Sequence, residues 1–221
     1  MEIQHQEPLK LYSFSMSQPC RSVLMLCAEG RVEFEHIEIN LLTGQQNSVA
    51  YMHINPQRKV PTIDDSGFVL SEAAAIMAYI CDSRCLESWY PHDHKLRARV
   101  DYWLHWSHSN ARLSSLKYLI PRLYKLEDDP EGRAAFAIAM GILDVHLSHH
   151  IFLVEKTVAP TIADLMILPE LDQLNWVPGL FDFSHYPHVM RYMENMKYTI
   201  GRSYDTYAEP ARETVQMLLH A

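Results

Sequence analysis

No stretch of this chain gathers lysine and arginine, no run approaches the roughly 18 apolar residues that a membrane span needs, and no segment repeats or simplifies in composition. The first absence, with a formal net charge of -8, argues against nucleic acid, whose binding is dominated by neutralising phosphates. The second argues against a membrane protein. The opening residues 1–8 also lack the apolar centre of a signal peptide, so a cytoplasmic address is expected. Cysteine is scarce as well. The four present, Cys20, Cys27, Cys81 and Cys85, match neither the spacing of a paired zinc site nor a secreted disulfide framework. Reduced, mostly buried thiols are expected.

What is there is 221 residues with 48% hydrophobic and 21% charged content, enough for a substantial core. Short strand patterns alternate with helical ones in the first part, whereas the remainder reads as helix broken by proline and acidic turns. An α/β domain over residues 8–84, a linker over 85–92 and an all-α domain over 93–221 are expected. In the first domain, a strand over 9–14 leads to a helix over 20–29 stopped by Gly30, then a strand over 32–39 and a weak helix over 44–52. A hairpin follows, with strands 62–64 and 68–70 flanking Asp65-Ser66-Gly67, and Ser71 is expected to cap a helix over 72–80. The order is βαβ, then ββα.

Downstream, Leu96, Val100, Trp103, Leu104, Leu113, Leu116 and Leu119 mark a long amphipathic helix that ends or kinks near Pro121. Asp129-Pro130 opens another, with Phe136, Ile138, Ile142, Leu143 and Leu147 available for burial. Thr161 and Asp164 have capping-box spacing ahead of a strongly apolar run, which reads as core nucleation.

Chemistry concentrates at Ser17-Gln18-Pro19-Cys20-Arg21, between the first strand and the first helix. A helix N-terminus offers unpaired N–H groups and about half a positive charge, so it suits an anion, and Ser17 adds a hydroxyl donor. Ser17-x-x-Cys20 has the spacing of a redox Cys-x-x-Cys motif with serine replacing the first sulfur, at the junction where thioredoxin-like proteins keep their chemistry. Disulfide cycling within the motif is thereby excluded. A second motif, Asn55-Pro56-Gln57-Arg58-Lys59-Val60-Pro61, places proline just before a strand, where a cis Val60-Pro61 bond would turn the Val60 backbone outward to pair with a peptide. Lys59 would stand beside a carboxylate. Ser71-Glu72-Ala73 supplies another helix start, with N–H groups at Ala73 and Ala74 for a carboxylate and Glu72 for an amine. With a sulfur at Ser17, these three places suit the small peptide glutathione.

Leu11-Tyr12, Ser17-Gln18-Pro19-Cys20-Arg21, Gly44-Gln45, Asn55-Pro56-x-x-Lys59-Val60-Pro61, Trp89-Tyr90-Pro91, residues 97–101 and Trp106 resemble the theta-class glutathione transferases. The resemblance implies a thioredoxin-like N-terminal domain joined to an all-helical substrate domain, in a homodimer. It implies Ser17 as the catalytic hydroxyl, favouring thiolate over thiol on glutathione, which is a cosubstrate and not a resident cofactor. Gln46, Lys59, Val60, Glu72, Ala73 and Arg112 are the implied glutathione-binding positions. The thiolate would attack small hydrophobic electrophiles between the domains, with organic hydroperoxide reduction as a side activity and no metal required. Ala73 replaces the serine usual in these enzymes, and the backbone amides and Arg112 would have to compensate. Gln46 stands where theta enzymes often carry histidine.

Two other readings stay open. Ala73 fits a non-catalytic, glutathione-transferase-like binding or scaffold protein, and Cys20 at a helix start fits a thiol transferase. His146, His149 and His150 share a helical region, but no acidic or cysteine partner is evident in sequence, so no metal is expected there.

Overall fold

In β1 (Leu9–Ser13), Leu9 and Leu11 are almost wholly buried, as alternation requires of a strand with one face on a large core. Tyr12 points the other way, to a smaller cluster with Ile39 and Tyr51. The computed structural model describes residues 8–127 and 129–220. The expectation of no signal peptide therefore falls largely on residues 1–7, outside the described residues.

After β1 come α1 (Gln18–Glu29), β2 (Phe34–Glu38), a 3-10 turn (Gln45–Asn47), α2 (Val49–Ile54), β3 (Thr62–Asp65), β4 (Phe68–Ser71) and α3 (Ala73–Ser83). The strand order is β2-β1-β3-β4, with β1 parallel to β2 and antiparallel to β3, and β3 antiparallel to β4. This is the thioredoxin-like sheet domain that the resemblance implied, in the expected βαβ-ββα order. Helices build the rest: α4 (His94–Trp106), a π-helical segment (Ser107–Arg112), α5 (Leu113–Tyr124), α6 (Pro130–Leu147), α7 (Ile162–Asn175) and α8 (Pro187–His220). The last is broken at Gly201, where φ is 40°. No helix among the described residues is long and apolar enough to cross a membrane.

Several local expectations are corrected. Ser71 does not cap α3, because it pairs with Thr62 and extends β4; Glu72 takes the cap position without a side-chain cap bond. Gly30 ends α1 as expected, with a right-handed φ of -81°. Its lack of a side chain matters for a different reason: a Cβ there would lie 2.5 Å from Leu86 Cδ1. The helix expected through residue 119 is interrupted by the π segment, and the wider turn changes the phase of its apolar face, leaving Leu113 exposed. Pro121 lies inside α5, whose C-terminal cap, Lys125, has φ 54°.

Helix α6 begins as expected, with Pro130 in its first turn and Asp129 accepting from Gly132 N at 3.0 Å. Phe136, Leu143 and Leu147 are fully buried, but Ile138 and Ile142 are 67% and 51% exposed. The buried stripe runs through Phe136, Ala139, Met140, Leu143 and Leu147, so Ile138 and Ile142 fall with Val145 on a second face.

The Thr161–Asp164 capping box forms, and buried Asp164 also accepts from Leu153 N at 2.8 Å and Tyr192 Oη at 3.1 Å. Burial raises the Asp164 pKa, while these bonds oppose the rise. The cap thus ties the loop after α6 and helix α8 to the start of α7. Where the two kinds of structure meet, Arg97 bonds Asp82 at 2.8 Å and the Pro91 carbonyl at 2.7 Å, and Ile162 N donates to the Trp89 carbonyl. Cys20, Cys27 and Cys81 are buried and all four cysteines are free, as expected.

Candidate functional site

Strand register determines which loops meet. Tyr12 pairs with Thr62, Thr62 with Ser71, and Ser13 with Glu38. The exit of β1, the entry to β3 and the exit of β4 therefore lie at one end of the sheet, together with the exit of β2. That end receives Ser17, Val60, Ala73 and the segment carrying Gln46. A shallow cleft bordered by Gly30, Arg31 and Arg84 lies at the other end, by the start of β1, and contains none of these residues.

Ser17 has extended backbone, φ -75° and ψ 120°, and its hydroxyl makes no cap bond to α1. Its main chain is held by a 2.9 Å bond to the Phe14 carbonyl and a 3.1 Å bond from Arg21 N. Cys20 is fully buried, and burial pushes its thiol up to about 11 although Ser17 and the Phe14 backbone pull the other way. A thiol raised in this way carries little thiolate near neutral pH.

Val60-Pro61 is cis. The segment before it is fastened by buried polar groups, with Tyr51 Oη donating to the Lys59 carbonyl at 2.6 Å and Asn55 Nδ2 to the same oxygen at 2.9 Å. Tyr51 reaches there because α2 packs its ring 5.9 Å from that of Tyr12. The Lys59 side chain itself is exposed, and Val60 is partly buried. Glu72 is exposed with φ 72° and ψ 109°, a region where a non-glycine residue costs about 1–3 kcal/mol. Ala73 is buried at the first helical position of α3. Gln46, in the 3-10 turn, has a buried Oε1 with no protein partner.

Arg112 arrives from the π segment and stands at the start of α1, bonding Gln18 Oε1 at 3.3 Å and forming an ion pair with Glu170 Oε1. Glu170 is 1% exposed; burial raises its carboxyl while Arg112 lowers it. Gln18 Nε2 and Glu170 Oε2 are buried without protein partners. Glu170, and with it Asp172 and Gln173, goes unnoticed in the sequence because α7 reads as apolar. The available signal was three polar residues close together in an otherwise apolar helix.

Arg21, whose charge is also buried, links these parts. Its guanidinium donates to the carbonyls of Ser15 at 2.8 Å and Met16 at 3.0 Å, and to Gln173 Oε1 on α7 at 2.7 Å. Burial lowers its pKa to about 10, opposed by Glu170 and Asp172. Both domains are thereby joined directly beneath the turn that carries Ser17.

Sheet, helical domain and site geometry define a thioredoxin-like protein extended by a helical domain. The glutathione S-transferase N-terminal domain family matches residues 7–82. Glutathione S-transferase theta-1 of Mus musculus is 34% identical over 175 residues, covering 74% of this chain and 72% of its own. Glutathione S-transferase D7 of Anopheles gambiae is 30% identical over 214 residues and covers 96% of both chains. The Bombyx mori glutathione transferase BmGSTD1, in complex with GTT, superposes with a TM-score of 0.89 at 28% identity, over 99% of this chain and 100% of that one. The chain belongs to the glutathione S-transferase family, with theta-class members among its relatives.

Proposed function

We propose that this protein conjugates the glutathione thiolate to small hydrophobic electrophiles, with Ser17 as the hydroxyl that holds the sulfur. The observation that carries the reading is the uncapped Ser17 side chain at the start of α1, at the same end of the sheet as Val60 and Ala73. Ser17 Oγ–H donates to the sulfur and the helix start supplies a favourable field. A charge-assisted bond gives about 1.5–3 kcal/mol and the helix terminus about 0.3–1, which lowers a thiol pKa by about one to two units. The thiolate attacks the electrophilic carbon and the leaving group departs. Reduction of organic hydroperoxides by the same thiolate is a side activity.

The glutathione backbone pairs with Val60, Glu72 takes the amine, and the Ala73 and Ala74 amides take the γ-glutamyl carboxylate. Lys59 and Gln46 serve the glycyl end. The ion pair with Glu170 and the bond to Gln18 favour a role for Arg112 nearer the sulfur than the carboxylate. The buried, weakly acidic Cys20 speaks against thiol transfer. The proposal divides the chain into the domain 8–84, linker 85–92 and helical domain 93–221. It also includes a homodimer, favoured by the exposed Ile138, Ile142 and Val145 on α6 and Phe68 on β4. A cytoplasmic address agrees with four free cysteines.

The test is glutathione-dependent turnover of benzyl and alkyl halides, enones and cumene hydroperoxide by the native chain and by Ser17→Ala. A fall in kcat/KM of about 10- to 100-fold is expected, from the same hydrogen-bond energy. Unchanged rates would remove Ser17 from the catalytic role. A native chain that neither turns over these compounds nor binds millimolar glutathione would favour the scaffold reading.

A further inference from the structure

Far from Ser17 in sequence, the end of α6 collects chemistry that glutathione transfer does not use. His146 lies in the last turn of α6 and His150 just beyond it, with ring centroids 4.6 Å apart. The loop that follows buries Phe152, Leu153 and Val154, and this brings Glu155 back to the two imidazoles. One donor atom from each of the three lies within 4.8 Å of the others. We propose that His146, His150 and Glu155 form a binding site for a divalent transition cation of the zinc class.

The donor set selects the ion. Two imidazoles and one carboxylate suit zinc and its neighbours, whereas calcium and magnesium take oxygen ligands. Ligand atoms about 2.1 Å from zinc at tetrahedral angles stand about 3.4 Å apart. The three donors therefore need a closure of up to about 1.4 Å, within reach of partly exposed side chains. Three protein ligands leave a fourth position for water.

A second set of contacts organises the site. His146 Nε2 lies 2.9 Å from the Leu153 carbonyl, which can only accept, so Nε2 carries the proton and the neutral ring keeps its lone pair on Nδ1. The Leu153 N–H in turn donates to the buried carboxylate of Asp164 at 2.8 Å. Histidine ligands characteristically donate their other N–H in this way, which fixes tautomer and ring orientation. Trp103 packs against the same ring with centroids 4.6 Å apart. The nearby cation is Arg99, whose Nε is 3.8 Å from Glu155 Oε2, and it competes with a metal for that carboxylate.

The experiment uses the full chain, stripped with a chelator and dialysed, and titrated calorimetrically with zinc chloride at physiological salt. Cobalt(II) chloride, followed by visible absorption, reports the ligand geometry. Native protein should bind one zinc ion at this site and gain thermal stability from it. Glu155→Gln and His150→Asn, both at partly exposed positions, should each weaken that ion at least about 10-fold and abolish the cobalt bands. His185→Asn, at an exposed histidine elsewhere, should not. Because His146 is partly buried against Trp103, it is left unmutated. No zinc binding by the native chain overturns the proposal. Equal binding and equal cobalt spectra in native protein, Glu155→Gln and His150→Asn overturn it too, assigning the metal to other histidines.

Discussion

Arg21 Nη1 donates to the carbonyl of Ser15 at 2.8 Å, so the turn that carries Ser17 is held by a buried cation on the very helix that Ser17 begins. The same guanidinium bonds Gln173 of α7. Removing it leaves the Ser15 and Met16 carbonyls and the Gln173 amide buried without that donor. Arg21→Met should cost about 3 kcal/mol or more, lowering Tm by roughly 6–12 °C in scanning calorimetry. Activity in the surviving folded fraction should fall too, since the turn is no longer fixed. A Tm within a degree of native would contradict this account.

Ala73 occupies the first helical position of α3. Ala73→Ser adds a hydroxyl where the proposed γ-glutamyl carboxylate lies, and a hydrogen bond to a charged group is worth about 1.5–3 kcal/mol. Calorimetric titration with glutathione should show at least about a tenfold gain in affinity by that measure. No gain would mean the carboxylate lies elsewhere.

Cys20 should resist alkylation in the native state. Its thiol is pushed up to about 11 by burial, so the thiolate is scarce at neutral pH. Iodoacetamide followed by mass spectrometry should modify the exposed Cys85 first, and Cys20→Ala should keep most of the transferase rate. A glutathione mixed disulfide at Cys20 in the folded protein would revive the thiol-transfer reading.

Asp144 on α6 caps the start of α8, accepting from His188 N at 2.8 Å and Val189 N at 3.0 Å, with His188 Nδ1 2.9 Å away. Partial burial pushes this carboxyl up, but the His188 and Val189 bonds prevail and hold it below the ordinary aspartate value. A carboxyl lowered on folding stabilises the protein above its unfolded pKa of about 3.9 and loses that contribution as pH falls through the folded value. Asp144→Asn should cost about 1 kcal/mol at pH 7, comparable to other helix caps, and the gap from native should shrink below about pH 4. Denaturant melts across pH measure it, and a gap that widens in acid would reverse the sign.

Strand, turn and cap signals were legible because their physics is local. Asp65-Ser66-Gly67 made its hairpin and Asp129-Pro130 its helix start. Ser71 misled because a hydroxyl before a helical run looks like a cap until the strand pairing that claims its backbone is known. Ile138 and Ile142 misled because an apolar residue at helical spacing does not say which of two faces the neighbours will cover.

From the sequence alone came the sheet-then-helix order, the hydroxyl at the start of α1, the proline before β3 and the shortage of basic charge, all carried by neighbouring residues. Tertiary structure alone decided what stands opposite them. Arg112 meets Glu170, Arg21 bridges to Gln173, and Glu155 closes on His146 and His150. Each of these meetings depends on how helices and loops pack across the chain, and periodicity specifies which face is apolar without specifying which partner it meets.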